Sequence, residues 1–294
     1  MFVDSFIGFL RVERNYSQHT LRAYAGDVRA FKDFIAGVDE SLSFLTADHD
    51  VVRLWAASLI DSGASTATVC RRLSSLRTFY DYLCREGHVE GNPLSSVQGP
   101  KRRKRLPAFV KEADMDALLD NMDDSDGYAE CRDRAILYIF YETGIRLSEL
   151  VNLNVGDVDM GASVIKVLGK RSRERVVPLV GELRDELGRY LSLRLRCGNA
   201  PDGPLFLSPR GGRVSHSMVY RMVNGRLNGL AGKTSPHVLR HSFATAMLNN
   251  GAEIGVVREI LGHKRLATTE IYTHLTFEDL KKVYEKAHPR AGIN

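Results

Sequence analysis

Between Gly91 and Pro107 the chain carries Gly91-Asn92-Pro93, two further prolines and an unbroken basic run, Lys101-Arg102-Arg103-Lys104-Arg105. Proline fixes φ and removes a backbone donor, and a block of like charge resists burial, so no packed helix or strand runs through such a segment. A chain of 294 residues interrupted there folds in two parts. The expectation is a domain at 1–92, a basic linker at 93–107 and a second domain at 108–294.

The first part reads as four helices. Apolar residues recur at i, i+3 and i+4 from Phe2 to Val12 and from Thr20 to Ile35. Asp48 has the chemistry of an N-cap ahead of Val52, Trp55 and Leu59, and Ser65 or Thr66 opens a helix that Gly87 ends. That fourth helix carries Arg71, Arg72 and Arg77 on its outer face. The second part mixes periods. Helical patterns cover Lys111 to Met122, Cys131 to Thr143, Val180 to Leu195, Ser215 to Leu230, Pro236 to Asn250 and Ile254 to Leu261. Strand-like pieces lie at Val155 to Val158, Ser163 to Leu168 and Arg173 to Leu179, the last two forming a hairpin around Gly169 to Ser172. A stripe of Leu280, Val283, Tyr284 and Ala287 marks a last helix.

Charge points to the partner. No acidic residue occurs from Gly203 to Gly251, where six Arg or Lys stand, and a third basic cluster runs from Lys166 to Arg175. One such cluster is ordinarily solvated surface; three in a chain of net charge +5 fit a polyanion, with nucleic acid first among candidates. With 44% hydrophobic residues the chain is no disordered polymer. Its four separated cysteines make neither a disulfide framework nor a zinc knuckle, and with no signal peptide or membrane-length apolar run a cytoplasmic location is expected.

Four patterns carry chemistry. Thr143-Gly144-Ile145-Arg146-Leu147-Ser148-Glu149 places an arginine three residues before a glutamate in an apolar setting, as a structural ion pair or as an anion-binding arginine held by Glu149. Lys170 stands at the tip of the expected hairpin. Pro236-His237-Val238-Leu239-Arg240-His241 puts His237, Arg240 and His241 on one face at a helix N-terminus, where anions bind. The His237/His241 spacing also suits zinc, but Val238 replaces the glutamate of H-E-x-x-H and Arg240 adds a positive charge. Leu261-Gly262-His263 is followed nine residues later by Tyr272. A phenol is only about 0.1% ionised at pH 7, so Tyr272 attacks nothing without cationic neighbours. Together these groups suit phosphodiester chemistry, with arginines offsetting transition-state charge.

An arginine in T-G-x-R-x-S-E-L, a hairpin lysine, H-x-x-R-H, L-G-H and a tyrosine nine residues on are, in this order, the signature of a family. Over nearly its whole length the chain resembles the tyrosine recombinases (the lambda-integrase-like family), and among them the bacterial Xer-type chromosome-dimer resolvases. The resemblance implies a mainly α fold with a small β component: an N-terminal four-helix core-binding domain and an α+β catalytic domain, forming a C-shaped clamp on DNA. It implies Arg146, Lys170, His237, Arg240 and His263 as active-site residues, Tyr272 as the nucleophile that becomes an O-(3′-phospho-DNA)-tyrosine, and Glu149 as support for the first arginine. Arg71, Arg72, Arg77 and Lys101 through Arg105 are then expected on phosphates.

No metal is expected, since no run of metal-ligating carboxylates is evident, and no nucleotide cofactor, since a phosphotyrosine conserves the energy of the cut bond. Expected partners are a duplex recombination site, a homo- or hetero-tetramer on two such sites and a septal DNA translocase. The C-terminal stripe suits packing on its own domain, while the resemblance implies docking into a neighbouring protomer. Resolution of chromosome dimers is weighed against integration or inversion of a mobile element, a non-catalytic DNA-binding regulator and a strand-nicking topoisomerase.

Overall fold

The computed structural model describes residues 2–101, 108–122, 127–169, 174–197, 200–232, 234–262, 282–284, 286–288 and 290. The chain divides into two compact units, Met1–Arg105 and Leu106–Asn294.

The first unit holds α1 (Phe2–Val12), α2 (Gln18–Val38), α3 (His49–Asp61) and α4 (Thr66–Arg85). Phe6, Val28, Phe31, Trp55, Leu76, Phe79 and Tyr80, drawn from the apolar faces of all four helices, form one buried core. Side chains set the helix starts. Asp48 Oδ1 accepts from the amides of Asp50 and Val51, both at 3.0 Å, and Ser65 Oγ accepts from that of Thr68 at 3.2 Å. Each satisfies a donor that has no partner inside its helix. α2 begins before Thr20 because Ser17 Oγ caps the Thr20 amide at 3.3 Å.

The expected linker starts too early. Leu94 and Val97 are buried in the first unit's core. Asn92 Oδ1 accepts from the Leu94 amide at 2.8 Å, and Arg77 Nη2 donates to the carbonyls of Val97 at 3.0 Å and Leu94 at 3.4 Å. Two apolar residues three apart suffice to fold the break back onto α4, and the segment to Val97 belongs to this unit.

The second unit runs α5 (Glu112–Asp120), α6 (Tyr128–Thr143), α7 (Leu147–Asn152), β1 (Val158–Asp159), β2 (Val164–Leu168), β3 (Glu174–Pro178), α8 (Gly181–Arg196), α9 (His216–Arg226), α10 (Pro236–Asn249) and α11 (Ile254–Ile260). The sheet is antiparallel in the order β1-β2-β3, with Ile165 opposite Val177 and Val167 opposite Arg175. Ile165, Val167 and Val177 are buried while Lys166, Leu168 and Val176 are exposed, the period-two alternation of a half-covered sheet. Val155–Asp157, expected as strand, is a 3-10 turn closed by Asp157 Oδ2 accepting from the Asn154 amide at 2.8 Å. α6 is buried without a break from Ala135 to Thr143 and packs on both α8 and α10. It is the axis of the unit and delivers Gly144, Ile145 and Arg146 from its C-terminal end. Among the described residues no helix is long and apolar enough to cross a membrane.

Of the C-terminal stripe, Val283, Tyr284 and Ala287 pack on their own chain. Tyr284 and Ala287 are buried with Val180, Phe243, Met247, Val257 and Leu261. The His288 ring lies parallel to that of Tyr284, centroids 5.3 Å apart, and also stacks on Phe243 at 5.6 Å. Arg290 reaches Asp116 at 2.7 Å, and also Asp120 and Glu182. An amphipathic segment buries its apolar face on whatever matching surface is nearest, and here that surface is in the same chain.

Burial, followed by the charge of Arg290, lowers the His288 pKa from 6.5 to about 4, against the opposing hydrogen bond that its ring donates to the Tyr141 carbonyl. The unfolded chain therefore binds the His288 proton more readily than the folded one, and stability falls as pH drops from 6.5 towards 4. The full loss is up to about 3 kcal/mol. Denaturation at pH 7.5 and pH 5 in wild type and His288→Phe measures it. The variant keeps the stacking and should lose less stability on acidification; parallel losses would show that His288 does not carry the effect.

Candidate active site

α6 ends at Gly144, whose φ of +59° lies in the left-handed region. A Cβ there would also meet Phe243 at 2.6 Å and Leu261 at 2.7 Å, so only glycine fits this corner. Two residues on, Arg146 caps α7: its amide donates to Glu149 Oε2 at 2.8 Å and its Nη1 to Oε1 at 2.7 Å. Gly144→Ala should cost about 2–4 kcal/mol of stability through strain and overlap. The change should also displace Arg146, so a lowered Tm should accompany lost DNA cleavage. An unchanged Tm would mean that the corner tolerates a side chain.

α10 supplies Arg240 one turn in from Pro236, whose missing N–H suits a first helical position. Arg240 Nη1 donates to the Gly144 carbonyl and Nη2 to that of Leu261, both at 2.6 Å. Arg146 Nη2 donates to the Gly262 carbonyl at 3.3 Å. From β3, Arg175 Nε donates to the Ile260 carbonyl at 3.0 Å, while Nη1 and Nη2 reach Glu149 Oε1 and Oε2 at 3.1 and 2.8 Å. Three guanidinium groups thus hold three consecutive carbonyls, at residues 260, 261 and 262. They sit at the C-terminal end of α11, where carbonyls lack intrahelical partners and the dipole favours cations.

Glu149 is buried, which alone would raise its pKa. The hydrogen bond from Arg175, the Arg146 amide and the two guanidinium charges outweigh burial and carry it down to about 2. With four hydrogen bonds its lone pairs are filled, so it orients arginines and takes no proton. Burial, then the charges of Arg146 and Arg175, lower the Arg240 pKa to about 10 against the opposing pull of Glu149, and it stays protonated at neutral pH. Three cations against one anion leave a positive surplus. Each guanidinium has five N–H groups, and those without a partner among the described residues can donate to phosphate oxygens.

The expected common face of α10 is divided: Arg240 is buried, His241 is half-buried and His237 is exposed in the first turn. Among the described residues no three His, Cys, Asp or Glu side chains come together as metal ligands. Lys170, His263 and Tyr272 lie outside the described residues; in sequence they follow Gly169, Gly262 and Ile271. Arg175 was visible only as one member of the Lys166–Arg175 basic cluster. Its partner Glu149 lies 26 residues upstream, and no local spacing announces that pair.

The basic residues of α4 belong to the first unit and are engaged there. Arg71 pairs with the buried carboxylate of Asp27, to which Ser75 Oγ also donates at 2.7 Å, and Arg72 Nε stands 3.8 Å from it. Arg77 is the residue that holds Leu94 and Val97. Lys101 is exposed, and Arg102, Arg103, Lys104 and Arg105 lie outside the described residues.

Residues 108–279 match the Phage integrase family, and residues 3–87 match the phage integrase N-terminal SAM-like domain. The tyrosine recombinase XerC of Pelotomaculum thermopropionicum is 41% identical over 98% of this chain and 98% of its own. That of Halalkalibacterium halodurans is 38% identical over 98% of this chain and 97% of its own. Among solved structures, the Tn1549 transposon integrase in complex with transposon right end DNA covers 97% of this chain and 98% of its own, at TM-score 0.73 and 22% identity. XerH site-specific recombinase bound to difH substrate covers 95% of this chain and 83% of its own, at TM-score 0.69 and 23% identity. Those two likenesses establish the mainly helical fold with its small sheet. The sequence matches go further: the chain belongs to the phage integrase family and is a site-specific tyrosine recombinase acting on DNA.

Proposed function

We propose that this chain resolves chromosome dimers at a dif-like site, cutting each strand through a phosphotyrosine at Tyr272. The observation that carries the chemistry is the surplus of positive charge on Arg146, Arg175 and Arg240 around one saturated carboxylate. In this reading Arg146 and Arg240 clamp the non-bridging oxygens of the scissile phosphate and offset the charge of its transition state. The Tyr272 oxygen forms a bond to phosphorus as the bond to the 5′-oxygen breaks, and Lys170 supplies the proton to that departing oxygen. His237 and His263 assist proton transfer. The 5′-hydroxyl of an exchanged strand then attacks the phosphotyrosine and restores the diester, so no nucleotide is consumed.

Residues 1–97 serve as the core-binding domain, 98–107 as the basic linker and 108–294 as the catalytic domain. Arg71, Arg72, Arg77 and Lys101 through Arg105 serve as phosphate contacts. Four protomers, all alike or shared with a homologous recombinase, exchange strands pairwise through a Holliday junction, activated by a septal DNA translocase in the cytoplasm. The full-length likeness to XerC proteins supports this role over integration of a mobile element.

The test uses nicked, labelled duplexes tiling the replication-terminus region, incubated with the full chain in excess chelator. Covalent protein–DNA product at one short palindromic site there is the expected result. Product confined to the ends of a mobile element would replace the role, and product that needs added divalent metal would replace the mechanism.

A further inference from the structure

Arg146 and Glu149 taken alone form a neutral pair, and a neutral pair adds little to a site that must receive a phosphate. The third partner changes that balance. Arg175 meets both carboxylate oxygens in a two-pronged contact, the geometry in which guanidinium and carboxylate bind best. We propose that Arg175 is a positioning residue of the strand-cleavage reaction: by sharing Glu149 it leaves Arg146 with charge for the phosphate, and by holding the Ile260 carbonyl it sets the turn to which Arg146 and Arg240 are fastened. The inference rests on the function proposed above, with Arg146 and Arg240 on the scissile phosphate.

Four observations converge on it. Arg146–Glu149–Arg175 carries one net positive charge where Arg146–Glu149 carries none. The Arg175 side chain is only 15% exposed and Glu149 only 3%, so water screens this balance weakly. Gly262, at φ +63°, lies directly over the Arg175 guanidinium, 3.5 Å from where its Cβ would be, and the three carbonyls of this turn belong to the residues just before His263. Arg175 also stands on β3, the strand that follows Lys170 in sequence, so one side chain ties the hairpin to both arginines. It touches no substrate in this scheme and acts only through Glu149 and the turn.

The experiment measures single-turnover cleavage of a nicked duplex and, separately, DNA affinity, for wild type, Arg175→Ala, Arg175→Lys and the double variant Arg175→Ala/Glu149→Gln. Arg175→Ala should cleave about 100-fold more slowly, the scale of a misplaced reacting group. Its Kd for DNA should stay within about threefold, since affinity comes from many phosphate contacts. Arg175→Lys keeps the charge and loses the fork, so its rate should fall between those of Ala and wild type. The double variant restores one net charge to Arg146 and should exceed Arg175→Ala by about tenfold, an effect of local charge that packing alone does not produce.

Arg175→Ala cleaving as wild type does would overturn the inference, as would affinity falling in step with rate or a double variant no faster than Arg175→Ala. If Arg175→Ala melts below the assay temperature, the lysine variant decides, and a rate equal to wild type overturns the proposal. Wild type lacking covalent product would instead remove the function on which it rests.

Discussion

Tyr272→Phe should remove covalent capture of DNA altogether while leaving DNA binding within about threefold, because affinity is expected from phosphate contacts spread over the chain. The substitution deletes one oxygen and keeps the ring. Slowing a reaction and deleting its nucleophile are different outcomes: an enzyme short of one stabilising donor still turns over, about 10²–10³-fold more slowly. A labelled nicked duplex on a denaturing gel separates the two, and peptide mapping of the wild-type product names the residue. A shifted band in the phenylalanine variant, or a phosphotyrosine at Tyr220 or Tyr284, would refute the assignment. Tyr284 is a weak rival on structural grounds, since it is wholly buried and burial drives its pKa upward.

Arg240→Ala should lower the cleavage rate about 10³-fold while costing only about 1–2 kcal/mol of stability. Removing one partner of a buried ionic contact ordinarily costs about 3–5 kcal/mol. Here the charge is itself disfavoured in the folded chain: burial and the neighbouring arginines bring its pKa to about 10. The unfolded chain holds this proton more tightly, so at every pH below 10 the charge opposes folding. That relief partly offsets the loss of two hydrogen bonds, to Gly144 and Leu261. Single-turnover kinetics alongside thermal melts check both halves. A melt lowered as far as by a large core cavity would show that Arg240 is held for structure and not for charge.

Much of this was legible in local spacing. Helix periodicity located α1, α3, α4 and α10 nearly to the residue, since cap chemistry and a 3.6-residue apolar rhythm are written within a few positions of each other. Arg146 and Glu149 were readable as a pair because three residues on a helix make neighbours. What spacing does not encode is contact at a distance. Asp27 meets Arg71 across 44 residues, so a face that looked uniformly basic is part of an internal ion pair. Leu94 and Val97 were concealed by the prolines around them. The tail's apolar stripe announced that it would be covered, but amphipathicity carries no address, and the surface that received it was formed by α10, α11 and Val180. Arg175 was lost among four other basic residues, although it reaches back to the carboxylate.

The three carbonyls held by three guanidiniums also couple folding to occupancy. Crowded like charges raise the free energy of the DNA-free form, and a phosphate placed among them lowers it again. Any oxyanion that binds the folded chain and not the unfolded one shifts the folding equilibrium in proportion to the logarithm of its concentration over its Kd. The molecules engaged on DNA are thus the more durable fraction of the population, and those that leave it open more often. Proteases act on opened chains, so arginines that receive phosphate as proposed would also set how long an idle copy survives.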